Sequence, residues 1–202
     1  SRLRGLSSVS TSAHPTAVLH LATWIDPELH EPFSAWCDEH HREQLALPGF
    51  RRARRFEWIS GEHEDDPPQF LTMYDIDALE VLPSTPGSLP EFLRGRIRVR
   101  RRDCVTLAAL PTIWWPPSST PLLDVFHLNN DSLAMELRDH MAGITTPPGF
   151  TLRVIDSTDD TPLVLIDHDE TTSTLIDTIT AASGSSRSTW RCCFDEQRSS
   201  PS

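Results

Sequence analysis

Two adjacent histidines, His40 and His41, stand beside Glu39 in the segment PELHEPFSAWCDEHHREQLALPGF at residues 27–50. A histidine within reach of a carboxylate can move a proton near neutral pH, because the carboxylate orients the ring and stabilises its charged form. The segment reads as a helix. Asp26-Pro27-Glu28 supplies a capping residue, a first-turn proline and early acidic charge, Pro32 delays the regular turns, and Pro48-Gly49 ends them. Steps of about 100° per residue place Leu29, Phe33, Trp36, Cys37 and Leu47 on one apolar arc. His40 falls in the middle of that arc and His41 at its edge, between Cys37 and Leu45. A polar ring on a face that packs against a sheet costs free energy unless it finds a partner. The wheel points to His40 as the inward ring.

Other chemistries are excluded by composition. All 18 basic residues are Arg, so no Schiff-base lysine and no Walker A loop exists, and the eight glycines nowhere form a dinucleotide-binding pattern. No G-x-S-x-G is present, which argues against a serine hydrolase. Cys37, Cys104, Cys192 and Cys193 lack C-x-x-C spacing, and no metal site is expected; His63 among the carboxylates of GEHEDDPP reads as a solvated hairpin loop. A net charge of −11 opposes binding to nucleic acid or an anionic membrane, and the Arg run at 94–102 reads as an exposed strand face. With no leader and no membrane-length apolar run, the chain reads as cytoplasmic with reduced thiols.

The elements that must position the histidines come in two sets. Strands are expected at 18–24, 50–58, 70–76 and 97–107, with a short second helix at 89–93, so that the first half reads βαββαβ. On the second strand Phe50, Arg52, Arg54, Phe56 and Trp58 share one side. PTIWWPPSSTP at 111–121, with four prolines, reads as a linker in which Trp114-Trp115 covers a core edge. Then the pattern returns weakly. TPPGF at 146–150 answers ALPGF at 46–50, and LVLIDHD at 163–169 answers LTMYDID at 71–77. Further strands are expected at 122–129, 150–156 and 189–194, and helices at 132–144 and 171–182. The domain reading is a disordered segment at 1–15, halves at 16–110 and 122–195, and a tail at 196–202.

These residues resemble a known family. DPEL at 26–29, Phe33, Trp36, Glu39-His40-His41, LALPGF at 45–50, Arg54-Arg55-Phe56 and LTMYD at 71–75 look like the dimeric α+β barrel superfamily, in particular its EthD-like members. The likeness covers residues 17–77. Counting from Trp36 favours His41 as the family's histidine, and counting back from Pro48 favours His40. The resemblance implies two ferredoxin-like βαββαβ halves that close an intramolecular α+β barrel in one chain, as monomer or homodimer. It also implies a pocket between sheet and helices in which His40 or His41 meets Tyr74 or Asp75 and Arg52, Arg54 or Arg55.

On that resemblance the catalytic candidates are His40, His41 and Asp75. The substrate-binding candidates are Trp24, Phe33, Trp36, Arg52, Arg54, Tyr74 and His127. His140 and His168 are further histidines without a family motif around them. The implied activity is that of a cofactor-free cyclase, isomerase or lyase of secondary or degradative metabolism, acting on an apolar aromatic or polyketide-like molecule by His acid–base chemistry. A cofactor-independent monooxygenase, whose substrate would itself form a carbanion able to reduce oxygen, and a non-catalytic binding protein are the alternatives.

Overall fold

The computed structural model describes residues 15–61, 66–83, 89–110, 121–128, 134–136, 139, 149–157, 160–169 and 186–198. Eight strands run β1 Ala17–Ile25, β2 Phe50–Gly61, β3 Phe70–Ile76, β4 Ile97–Leu110, β5 Leu122–His127, β6 Thr151–Ser157, β7 Asp160–His168 and β8 Ser186–Gln197. They pair antiparallel throughout and close a barrel in the order β1-β3-β2-β8-β5-β7-β6-β4. Taken separately, the first four strands lie in the order β4-β1-β3-β2 and the last four in the order β8-β5-β7-β6.

This corrects the expected fold class. The chain is not two ferredoxin-like βαββαβ halves but one closed eight-stranded antiparallel barrel, and α1, His30–Ala46, is the one long helix among the described residues. Where a second helix of the first half was expected, Pro90 leads only into a single 3-10 turn, Glu91–Leu93, and Gly95 at φ 70° reverses the chain at once into β4. Too few residues separate that proline from that glycine for an α-helix to propagate. The expected N-terminal segment, most of the linker with Trp114-Trp115, His63, His140, the helix at 171–182 and the end of the tail lie outside the described residues. Among the described residues no helix is long and apolar enough to cross a membrane.

Because side chains alternate along a strand, closing the barrel divides every strand into an inward and an outward set. Val18, Phe56, Leu71, Met73, Cys104, Leu123, Val125, Ile155, Leu163, Leu165 and Trp190 come from all eight strands and fill the interior. The outer face of the first half packs under α1 through two clusters. One joins Leu45 to Ala17, Phe50, Tyr74 and Ile76; the other joins Phe33 and Cys37 to Ile25, Phe70 and Leu93. Between Phe50 and Arg52 the β2–β3 register shifts. That irregularity puts Phe50 in the outer cluster while Arg52 and Arg54 turn inward with Phe56, so the expected common side of β2 begins at Arg52 and faces the barrel interior.

Candidate functional site

The buried residues of α1 are Phe33, Cys37, His41 and Leu45, a stripe at a spacing of four. His41, only 1% exposed, is therefore the inward ring, and the wheel that favoured His40 is corrected. The error traces to Leu29 and Leu47, which lie outside α1, to half-buried Trp36, and to leaving Leu45 out of the arc. Leu47 is 41% exposed and already extended, one residue past the helix, so counting it pulled the arc toward the wrong side. His40 instead stacks on Trp36 at 4.9 Å and 12°, with Nδ1 3.6 Å from Glu43 Oε2, at the helix edge.

His41 packs edge-on against Tyr74 at 5.4 Å and against Phe194 at 4.9 Å, and its Nδ1 has no hydrogen-bond partner. Burial, reinforced by the positive charge of Arg55, lowers its pKa to about 3, so the ring is neutral. Burial likewise raises the Tyr74 hydroxyl and pushes the Cys37 thiol up to about 12. Arg55 ties the sheet to the helix, donating to Asp38 Oδ1 at 2.7 Å and to the Ser34 carbonyl at 3.2 Å.

Asp75 is not there. Tyr74 and Asp75 are consecutive on β3, as Arg54 and Arg55 are on β2, so one of each pair faces the helix and the other the barrel interior. Inside, Arg153 donates to Asp75 at 2.6 Å, Arg54 to Asp167, and Arg52 to Asp195 at 2.7 Å. Burial works to raise the Asp75 pKa, but the charges of Arg153, Arg54 and Arg52 outweigh it and hold the carboxyl below its ordinary range. His41, Tyr74 and Arg55 thus meet on the outer face, whereas Asp75, Arg52 and Arg54 belong to the interior. Trp24 and His127 line a further pocket inside the barrel.

His41 lines neither the cleft at the start of α1 nor the pocket inside the barrel. That cleft, about 450 Å³, lies at the first turn of α1. Phe70, Trp58 and Pro68 give it apolar walls, His30 and Ser34 come from the helix, and Glu31 and Glu57 stand exposed at its rim. His30 sets its ring edge-on to Phe70 at 5.2 Å, and its buried Nε2 has no hydrogen-bond partner. Gln69 stiffens the wall, accepting the Ile25 N–H at 2.8 Å and donating to the Pro67 carbonyl at 3.1 Å. Phe33 packs behind Phe70, while Trp36 continues the aromatic row along the helix. A cleft with aromatic walls and a histidine in its lining suits a flat, neutral ligand.

No family model matches the chain, and no curated protein matches it in sequence. Solved structures do. An anthrone oxidase-like protein superposes with a TM-score of 0.62 at 12% identity, over 95% of this chain and 97% of its own. A candidate monooxygenase from Fusobacterium nucleatum subsp. nucleatum gives 0.58 at 8% identity, over 93% and 97%. Another from Lactobacillus acidophilus NCFM gives 0.57 at 10%, over 91% and 97%. At such identities the likeness is one of fold alone.

His30 was missed by the sequence reading. It lies three residues before Phe33, on the same stripe as Cys37 and His41, so the helical spacing that located those residues pointed to it as well. What hid it was Pro32, which made the first turn look irregular. Trp58 and Phe70 were read only as strand residues, because their meeting with His30 depends on how α1 crosses the sheet.

Proposed function

We propose that this chain is a cofactor-free oxygenase of a neutral, planar aromatic molecule, bound in the cleft at the first turn of α1 with His30 as the base. The observation that carries it is a cavity of about 450 Å³ walled by Trp58 and Phe70 and lined by His30, whose Nε2 is buried and has no hydrogen-bond partner. The names of the similar solved structures, an anthrone oxidase-like protein and two candidate monooxygenases, support an oxygen-using reaction over a cyclisation or isomerisation. Exposed Glu31 and Glu57 at the rim disfavour an anionic ligand.

In this reading Nε2 takes a proton from a methylene held between aromatic rings and activated by a carbonyl. The resulting carbanion gives its electrons to dioxygen. A hydroperoxide forms and loses water, so that R2CH2 and O2 become R2C=O and H2O, with no external reductant. The substrate supplies every electron, and the protein supplies the base, the aromatic-walled cleft and the orientation. The twice-repeated strand order reads as a tandem repeat within one chain.

Anthrone is the simplest probe. Purified protein should speed its conversion to anthraquinone with one O2 consumed per turnover, and His30→Gln, which keeps size but not basicity, should lower kcat by about 100-fold or more. Anthrone binding without accelerated oxygen uptake would leave a binding protein; full activity in His30→Gln would remove His30 from the role.

A further inference from the structure

The barrel interior holds a small chamber of about 30 Å³ whose apolar walls are Ala22 and Trp24 of β1, Leu71 of β3, Val125 of β5, Trp190 of β8 and Pro68. Leu71, Val125 and Trp190 belong to the apolar cluster that fills the barrel. The space is roughly enough for one diatomic molecule or a water or two, and far too little for an aromatic substrate.

Polar side chains also border the chamber, but they are engaged elsewhere. Ser188 accepts from Trp190 Nε1 at 2.9 Å and donates to the Val125 carbonyl at 3.4 Å. Arg100, Arg102 and His127 each have a partner of their own. That leaves His20, 5% exposed, whose Nδ1 has no hydrogen-bond partner. Burial, reinforced by the charge of Arg102, lowers its pKa to about 3, so the ring is neutral. An ordered water needs about three polar partners, and one imidazole nitrogen does not supply them. The chamber therefore favours a small apolar guest over water.

The chamber adjoins the cleft at the start of α1. Consecutive residues Phe70 and Leu71 face opposite ways, so the cleft lies on the outer side of β3 and the chamber on its inner side. Pro68, just ahead of that strand, lines both. Trp58 of the cleft meets Trp190 of the chamber edge-on at 5.2 Å. Arg100 at the chamber is exposed, which leaves the space within reach of solvent.

We propose that this chamber is a dioxygen site, which holds O2 inside the barrel and supplies it past Pro68 to the carbanion formed in the cleft. Dioxygen is apolar and gains by leaving water for an apolar space. A guest held beside the cleft meets the carbanion at a far higher effective concentration than the dissolved gas. One O2 drawn from the chamber gives the carbonyl oxygen and the water of the reaction above. The supply role rests on the oxygenase reading; the affinity for a small apolar gas rests on the chamber alone.

Xenon is the probe, because it is small and apolar like the gas and scatters X-rays strongly. Crystals of the full chain held under xenon should show an atom between Leu71, Val125 and Trp190, and so should crystals of His30→Gln, whose chemistry is lost but whose chamber is intact. Ala22→Val adds volume to the wall. It should displace xenon and raise the KM for O2 by about tenfold while leaving the KM for anthrone unchanged. Val125→Ile, which fills the same space from β5, repeats the test should Ala22→Val fold poorly. Ordered water in the chamber with xenon excluded would overturn the proposal. So would an unchanged KM for O2 in a variant that no longer binds xenon. Xenon bound in a protein that leaves anthrone untouched would instead remove the oxygenase reading and keep the gas site.

Discussion

His168 shows how far the surroundings decide what a histidine is. Its Nε2 meets Asp124 Oδ2 at 2.9 Å and its Nδ1 meets the Asp169 carbonyl at 2.7 Å. Both partners are acceptors, so both nitrogens carry protons and the ring is an imidazolium. Burial opposes that charge, but the bonds to Asp124 and Asp169 outweigh it and raise the pKa above the ordinary value. Asp124, itself buried, also accepts from Arg187 at 2.9 Å and Thr189 at 2.6 Å, and its carboxyl is held low despite its burial. The sign for stability follows from the raised value: the folded protein binds the extra proton, so the contribution is complete below the ordinary histidine pKa and fades as pH rises through the folded one. Urea titrations across neutral to mildly alkaline pH should therefore show stability declining, and His168→Gln should be less stable at the acidic end and flatter across that window. An unchanged slope would mean that the ring is neutral in the fold.

For the element, α1 is the case that separates what can be read in a sequence from what cannot. Its start, its end and its partner strands are written in Asp26-Pro27, Pro48-Gly49 and the runs of alternating or apolar residues, and the eight expected strands all exist, with ends moved by several residues. The face of the helix depends on 40° differences, and residues beyond its two ends together with half-buried Trp36 were enough to misplace it. His41 in its Tyr74–Phe194 slot reads as packing. Its lowered pKa means that the unfolded chain takes up a proton which the fold refuses, so His41 costs stability as pH falls from 6.5 toward about 3. His41→Leu should keep the fold, keep anthrone turnover and, at pH 4, gain on the order of 3 kcal/mol relative to the parent in urea unfolding. Loss of turnover with a normal melting temperature would return the catalytic role to His41.

On the scale of the whole molecule, the barrel turned a pattern that suits a solvated strand face into an interior. The run Arg51-Arg52-Ala53-Arg54-Arg55 puts arginines on both faces of β2, and in an open sheet one of those faces would lie in water. Closure left both faces of β2 covered, and the charges had to be matched from across the barrel. No local signal in the sequence couples Arg54 to Asp167 or Arg153 to Asp75, because these partners are supplied only by topology. The two pairs each join the first four strands to the last four, and the cross distances of 3.5 Å for Arg153–Asp167 and 4.0 Å for Arg54–Asp75 make the four side chains one network. All four are almost wholly buried. Removing one member strands a charge in a low-dielectric interior, which costs about 3–5 kcal/mol, whereas replacing a bonded pair by apolar groups of similar volume is often close to neutral. Arg54→Met and Asp167→Leu should each be strongly destabilising, and the double variant should be no worse than the poorer single one, because Arg153 and Asp75 keep their own bond at 2.6 Å. A double-mutant cycle in urea measures this directly. Additive losses would show that the two side chains do not act as a pair.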